Sequence, residues 1–235
     1  MKFFNFLAKF IFLLRKPKII FLVGENRKLT RRIIFHVLKR YPKIAGKILI
    51  SESDLKDVEG LKFFIKNSSL PIFIITDSKN ISFDKIKTLS KAIPGQGFLI
   101  SNFDEEQNRE LKTETPLGVL CFGFQSGADF QASDVNNNGD TNFKINYKGN
   151  IVPVWLRDIS GGAKRTSSSS SATQAAAQGG KEDLSSLTVP LRESSVKEYI
   201  YAVLAVAAVG EVLGLNLVEI SEALKDYKDS ATLKK

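Results

Sequence analysis

Residues that carry much of enzyme chemistry are scarce in this chain, which has one cysteine and one histidine in 235 residues. A single cysteine, Cys121, excludes an intrachain disulfide and fits a reducing cytoplasm. It lies in the apolar segment VLCF and reads as a small buried residue rather than a nucleophile. His36 stands between Phe35 and Val37 with no Cys, Asp or Glu partner at motif spacing, which argues for a structural role. Long apolar runs are also absent. A membrane-spanning helix needs about 20 apolar residues. Both FFNFLAKFIFLL at 3–14, interrupted by Lys9, and YIYAVLAVAAV at 199–209 fall short of that. Acid is nearly missing from the first part of the chain. Residues 1–47 hold 13 Lys or Arg and one acid, Glu25, for a net +12, whereas the remainder carries 21 basic and 24 acidic residues, net −3. The excess of positive charge is therefore local.

What is present suits one principal folded domain, since 43% of the chain is hydrophobic and 25% charged. In residues 3–14 the side chains Phe3, Phe4, Leu7, Phe10, Ile11 and Leu14 recur at helical spacing, with Phe12 as the exception. No small-x-small cleavage site follows; Arg15, Lys16, Pro17 and Lys18 come next, which argues against a signal peptide. Residues 1–18 therefore form either an in-plane helix on an anionic membrane surface or a helix packed on the domain.

From Lys18 to Phe122, short apolar segments alternate with polar, helix-compatible ones. Strands are expected at Lys18–Val23, Lys47–Ile50, Pro71–Thr76, Gly97–Ser101 and Val119–Phe122, with connecting helices at Asp84–Ala92 and Glu105–Lys112. This is the pattern of an α/β fold with a mostly parallel open sheet. The segments Asp129–Val135, Thr141–Tyr147 and Ile151–Leu156 alternate in polarity and are separated by NNNGD and KGN, which predicts a small antiparallel β unit joined by tight turns. Residues 159–186, rich in Ser, Gly, Ala and Gln, read as a low-complexity loop. C-terminal helices follow. Tyr199–Val209 is apolar all round and should be buried. Asn216, with Glu219 three residues on, makes a capping-box start for a helix through Tyr227.

The stretch VGENRKLTRR at 23–32 follows the first strand and precedes a helical pattern with Ile33, Ile34, Val37 and Leu38 on one face. Strand, glycine, lysine, hydroxyl and helix form the layout of a P-loop, in which backbone N–H groups cradle phosphate. Arg27 stands where that motif has its second glycine, and Leu29 where it has the hydroxyl that binds Mg²⁺.

The collinear series GFLISNFDEE, TPLGVLCFGFQSGADFQASDV, TNFKINYKGNIVPVWL and YAVLAVAAVGEVLGLNLVEISEAL resembles the second half of the Mur ligase central domain. It is most similar to the UDP-N-acetylmuramoyl-tripeptide–D-alanyl-D-alanine ligase subgroup. The resemblance spans Lys18 to Leu224 apart from the low-complexity insert. It implies an ATP-dependent carboxylate–amine ligase of peptidoglycan precursor synthesis, using ATP and Mg²⁺. Carried over by position, it implies nucleotide contacts at Gly24, Lys28, Thr30 and Asn102, and a metal contact at Glu52. Asp104 matches an acid at the same strand end as Asn102. Several positions depart from the family's pattern. A histidine is missing where this chain has TDSKNISF. A modified lysine would fall at Ile86, between Lys85 and Lys87. A His-Asn pair is replaced by Val196, Lys197 and Glu198.

The expected organisation is a basic amphipathic helix at 1–17, an α/β domain at 18–158, the loop at 159–186, a helical part of the same domain at 187–228 and a tail at 229–235. Three functions remain open. One is a Mur ligase central-domain protein related to ATP-dependent peptidoglycan precursor ligases, with catalysis impaired or lost, for which a partner protein would supply the family's C-terminal and uridine-nucleotide domains. The second is a non-catalytic scaffold or binding protein in the cytoplasm, peripheral at the inner face of the membrane. The third, least favoured, is nucleic-acid binding through Lys28, Arg31, Arg32, Lys39, Arg40 and Lys43, with no recognised binding motif beside them.

Overall fold

A computed structural model describes residues 2–114, 118–137, 140–156 and 189–227. The low-complexity loop and the tail expected from the sequence lie outside the described residues. The elements run α1 (Lys2–Arg15), β1 (Lys18–Val23), α2 (Arg27–Lys39), α3 (Pro42–Ala45), β2 (Ile48–Glu52), α4 (Val58–Asn67), β3 (Leu70–Ile75) and α5 (Phe83–Ser90). They continue β4 (Phe98–Asn102), α6 (Glu106–Glu114), β5 (Gly118–Gly123), β6 (Phe130–Asn136), β7 (Thr141–Tyr147), β8 (Asn150–Leu156), α7 (Val189–Val212) and α8 (Leu217–Leu224).

The strands form a single eight-stranded sheet in the order β2-β1-β3-β4-β5-β6-β7-β8. Pairing is parallel from β2 through β6 and antiparallel from β6 to β8. The antiparallel segments are thus an extension of the main sheet, joined to it by the short pairing Phe122↔Phe130 and Gly123↔Gln131. The β7–β8 hairpin closes on Tyr147↔Asn150. Its two central residues, Lys148 and Gly149, both have positive φ (48° and 77°), the type I′ geometry whose twist matches the flanking strands.

Central strands are apolar on both sides because helices cover both faces. Ile20, Leu22, Ile72, Ile74 and Ile100 point into one core, completed by α2, α7 and α8. Their neighbours Ile19, Phe21, Val23, Phe73, Ile75 and Leu99 point into the other, beneath α1, α4, α5 and α6. This two-residue period fixes the register, since a slip of one would exchange the two faces. The predicted stripe on α2 is realised, with Ile33, Ile34, Val37 and Leu38 all buried. Most of Tyr199–Val209 is buried as expected for an all-round apolar helix, with the half-buried Tyr201 as the departure. The Asn216 capping box forms as predicted, with Glu219 N–H donating to the Asn216 side chain at 2.9 Å and the reciprocal bond at 2.9 Å.

His36 is half-buried, and its Nε2 donates to the Ala223 carbonyl at 2.9 Å while its ring meets Tyr227 edge-on. Cys121 is buried beside the Ser101 hydroxyl, and burial pushes its thiol pKa up. Both therefore serve packing.

Candidate functional site

Chain order reverses at β1, which has β2 on one side and β3 on the other. In open α/β sheets the loops leaving two such strands diverge, and a crevice opens at their carboxyl ends. A cavity of about 510 Å³ lies there. It is lined by Glu25 and Asn26 after β1; Thr76, Asp77 and Lys79 after β3; Asn102, Asp104 and Glu105 at the end of β4; Phe124 and Gln125 after β5; and Lys197, Glu198 and Tyr201 of α7.

The loop from β1 to α2 is only Gly24, Glu25 and Asn26. Gly24 has φ +109°, and a Cβ built there would stand 2.4 Å from Thr76 Oγ1 and 2.6 Å from the Asp77 backbone. Only glycine permits this approach of the two loops. Thr76 seals it by donating both its backbone N–H and its hydroxyl to the Val23 carbonyl, each at 2.9 Å. Helix α2 then begins without a side-chain cap from Asn26.

The Arg27 side chain turns back from the crevice toward the end of β2. Its Nη1 donates to the Gly24 carbonyl at 2.8 Å, its Nη2 pairs with Asp54, and its Nε lies 3.9 Å from Glu52. Glu52 also accepts from Arg31 at 3.1 Å. Thr30 is fully buried, and its hydroxyl donates to the Asn26 carbonyl at 3.0 Å, one turn back in its own helix. Leu29 packs against the core shared with α7. Lys28 is exposed and outside the cavity lining, and no hydrogen bond or ion pair joins it to another described residue.

Within the crevice the β4 end is a clasp. Asp104 accepts from the backbone N–H of Phe124 at 2.8 Å, from that of Gln125 at 2.9 Å and from the Tyr201 hydroxyl at 2.8 Å. Asn102 holds the turn through its side-chain oxygen, which accepts from Asp104 N–H at 3.0 Å. Burial, then the bond to Asp104 and its negative charge, push the Tyr201 phenol well above the ordinary tyrosine range. The Glu105 carboxylate bridges to the neighbouring loop, accepting from Ser78 N–H at 2.8 Å, from the Ser78 hydroxyl and from the Asn108 amide at 2.9 Å. Burial raises its pKa. Glu198 is raised too, by burial and then by the charges of Asp77 and Glu25.

Five carboxylates thus face two ammonium groups. Lys79 lies 3.9 Å from Asp77, and Lys197 sits 5.5 Å over the rings of both Phe124 and Tyr201. At an effective dielectric of about 20, each carboxylate about 6 Å from a phosphate opposes it by roughly 2–3 kcal/mol.

These residues do not fit the Mg–ATP that the sequence resemblance implies. Of the residues carried over, the structure brings Asn102 and Asp104 to the crevice lining, with Gly24 shaping the loop beside them. Thr30 is committed to its own helix, Glu52 to two arginines and Arg27 to β2, while Lys28 stands apart. Lys85 donates to the Leu55 carbonyl at 3.2 Å and Lys87 approaches Glu110 at 3.6 Å, so neither takes part. Among the described residues, no group of three or more His, Cys, Asp or Glu is arranged to hold a metal. Lys197 and Glu198, noted in the sequence only as replacements, line the crevice. Tyr201 and Asp77 carried no sequence signal as site residues, since Tyr201 shares the apolar run of α7 with a second tyrosine, Tyr199.

No protein-family model matches the chain, and no curated protein matches it. Solved structures do. MurF from Acinetobacter baumannii superposes with a TM-score of 0.61 at 11% identity, over 94% of this chain and 47% of that one. MurF ligase from Thermotoga maritima in complex with ADP gives 0.59 at 14% identity, over 92% of this chain and 50% of that one. The UDP-N-acetylmuramate:L-alanyl-gamma-D-glutamyl-meso-diaminopimelate ligase from Neisseria meningitides gives 0.62 at 12% identity, over 95% and 69% respectively. The chain spans about half the length of the MurF structures it matches. The fold is therefore that of part of a Mur ligase, a mostly parallel α/β sheet flanked by helices.

Proposed function

We propose that this chain is a Mur-ligase-fold protein that has lost phosphoryl transfer and acts by binding, in the cytoplasm, within the sphere of peptidoglycan precursor synthesis where its structural neighbours work. The single observation that carries the reading is Arg27. Its guanidinium lies between the loop after β1 and the end of β2, bonded to Gly24 O and paired with Asp54 and Glu52. An arginine in the place of a loop glycine adds bulk where phosphate must approach backbone. Here it also occupies Glu52, the residue expected to hold metal. The acid-rich crevice supports the same reading, because a triphosphate needs cations there. A partner protein would then supply whatever chemistry the complex performs.

One observation favours a second reading, retained nucleotide binding: among the described residues Lys28 has no ion-pair or hydrogen-bond partner in the first turn of α2, next to a helix start that the Asn26 side chain does not cap. Calorimetric titration with Mg–ATP of the wild type and of Lys28→Ala separates the two. The expected result is no saturable heat in either protein and no phosphate release with acceptor peptides. Saturable binding by the wild type that Lys28→Ala abolishes would overturn the proposal and restore the nucleotide site.

A further inference from the structure

The first helix of the chain docks by the opposite side from the one its sequence pattern suggests. Among the described side chains of α1, Phe12, the exception to the apolar stripe, is the buried one; it is 6% exposed and meets the Phe64 ring edge-on at 4.8 Å. At 100° per residue, Phe10 and Leu14 lie on the far side of the helix from Phe12. They are 50% and 71% exposed, with Ile11 and Leu13 beside them at 42% and 37%. Other exposed large apolar residues, such as Phe35, Val135 and Val218, are spread over separate elements. Scattered singles need no partner, but a contiguous ridge marks an interaction surface.

Cations surround this ridge. The helix ends at Lys16, whose N–H closes on Phe12 O at 2.9 Å and whose φ is +40°, so that the chain turns sharply into β1. That turn brings Arg15, Lys16, Lys18 and Lys47 round one cavity of about 550 Å³, with Ile11 and Leu49 on its apolar wall and no carboxylate in its lining. Among the described residues no helix is long and apolar enough to cross a membrane, so this surface works from one side.

We infer that α1 and the adjoining edge of the sheet form a docking surface for an anionic lipid bilayer, with Phe10, Ile11 and Leu14 entering the acyl boundary and Arg15, Lys16 and Lys47 meeting lipid phosphates. An apolar face rimmed by cations is the composition that binds such an interface. A second copy of the chain fits the ridge less well. A two-fold contact would set the same cations against each other with no acid between them. The inference stands apart from the fate of the nucleotide site, which lies at the other end of the strands.

Vesicle flotation of the full chain tests it, using phosphatidylcholine alone and a mixture with phosphatidylglycerol. The expected result is binding to the mixed vesicles only, weakened by salt. Removing each cation by Lys16→Gln or Lys47→Gln should lower partition roughly five-fold. The pair Phe10→Asp and Leu14→Asp should abolish it with an unchanged circular dichroism spectrum and melting point, because both side chains are exposed. Equal partition to neutral vesicles, or binding that survives the double Asp variant, would overturn the inference. So would a concentration-dependent dimer that the double variant dissolves, which would assign the ridge to a second copy. Competition by duplex DNA with unaltered affinity in the double variant would assign the cations to nucleic acid instead.

Discussion

The Asp104 clasp offers a sharp test of how the crevice is held together. One carboxylate accepts from two backbone N–H groups, of Phe124 and Gln125, and from the Tyr201 hydroxyl of α7, so it ties β4, the loop after β5 and the last long helix at one point. Hydrogen bonds to a charged group contribute about 1.5–3 kcal/mol, and a buried donor left without a partner costs about 1–3 kcal/mol. Gln125 is exposed, so water replaces part of what it loses. Asp104→Ala should therefore cost about 3 kcal/mol. Tyr201→Phe removes one bond and leaves the carboxylate with two donors, so it should cost about 1.5 kcal/mol. The double variant should fall short of the sum by about 1 kcal/mol, the signature of two groups that touch. Urea titrations of the four proteins give these values, with a midpoint for Asp104→Ala lowered by about 1 M at an unchanged slope. The phenol adds a pH signature. Its folded pKa lies above the unfolded value, so its contribution is complete below about pH 10 and is lost as the pH rises beyond that. Tyr201→Phe should flatten that alkaline limb. Additive costs, within about 0.3 kcal/mol, would refute the clasp.

Two further outcomes follow from the same loops. Gly24→Ala should destabilise by roughly 2–4 kcal/mol, since it combines a positive φ with a Cβ 2.4 Å from Thr76 Oγ1, and a urea midpoint unchanged within error would refute that contact. Glu105 has a raised pKa, so its contribution is greatest below the unfolded value of about 4.3 and falls as the pH rises through the folded one; stability relative to Glu105→Gln should decline as the pH rises above about 4.3, and denaturation curves whose difference does not change with pH there would contradict the burial argument.

The strands were legible because central parallel strands are apolar on both faces, as in IIFLV and PIFII. Their ends were read a residue or two early where a strand closes on a polar residue or glycine, as at Glu52, Asn102 and Gly123. That β6 to β8 extend the main sheet was not legible, because the join at Phe122↔Phe130 involves too few residues to leave a periodic trace. For α1, periodicity revealed an apolar stripe but not which side the domain would take, and one aromatic residue, Phe12, decided it. At the crevice the sequence located a loop between β1 and α2 but not the state of its side chains. The direction of Arg27 depends on Asp54 and Glu52, which arrive through β2 and are invisible to a local motif. Tyr201 was hidden for a different reason, since a phenol inside an apolar helix looks like core until its partner on another strand is known.

The position of α7 in the chain has a consequence for how the protein is made. This helix closes the core over β4, β5, β6 and α2, yet it is synthesised after every strand of the sheet. At translation rates of about 5–20 residues per second, roughly 10–40 s separate the emergence of β1 from that of the end of α7. During that interval, among the described residues, α2 and α3 are the helices that shield the face bearing Ile20, Leu22, Ile72, Ile74 and Ile100. The nascent protein is thus exposed on one side and already covered on the other, so the α2 face is where a chaperone would engage and where premature termination would lead to aggregation.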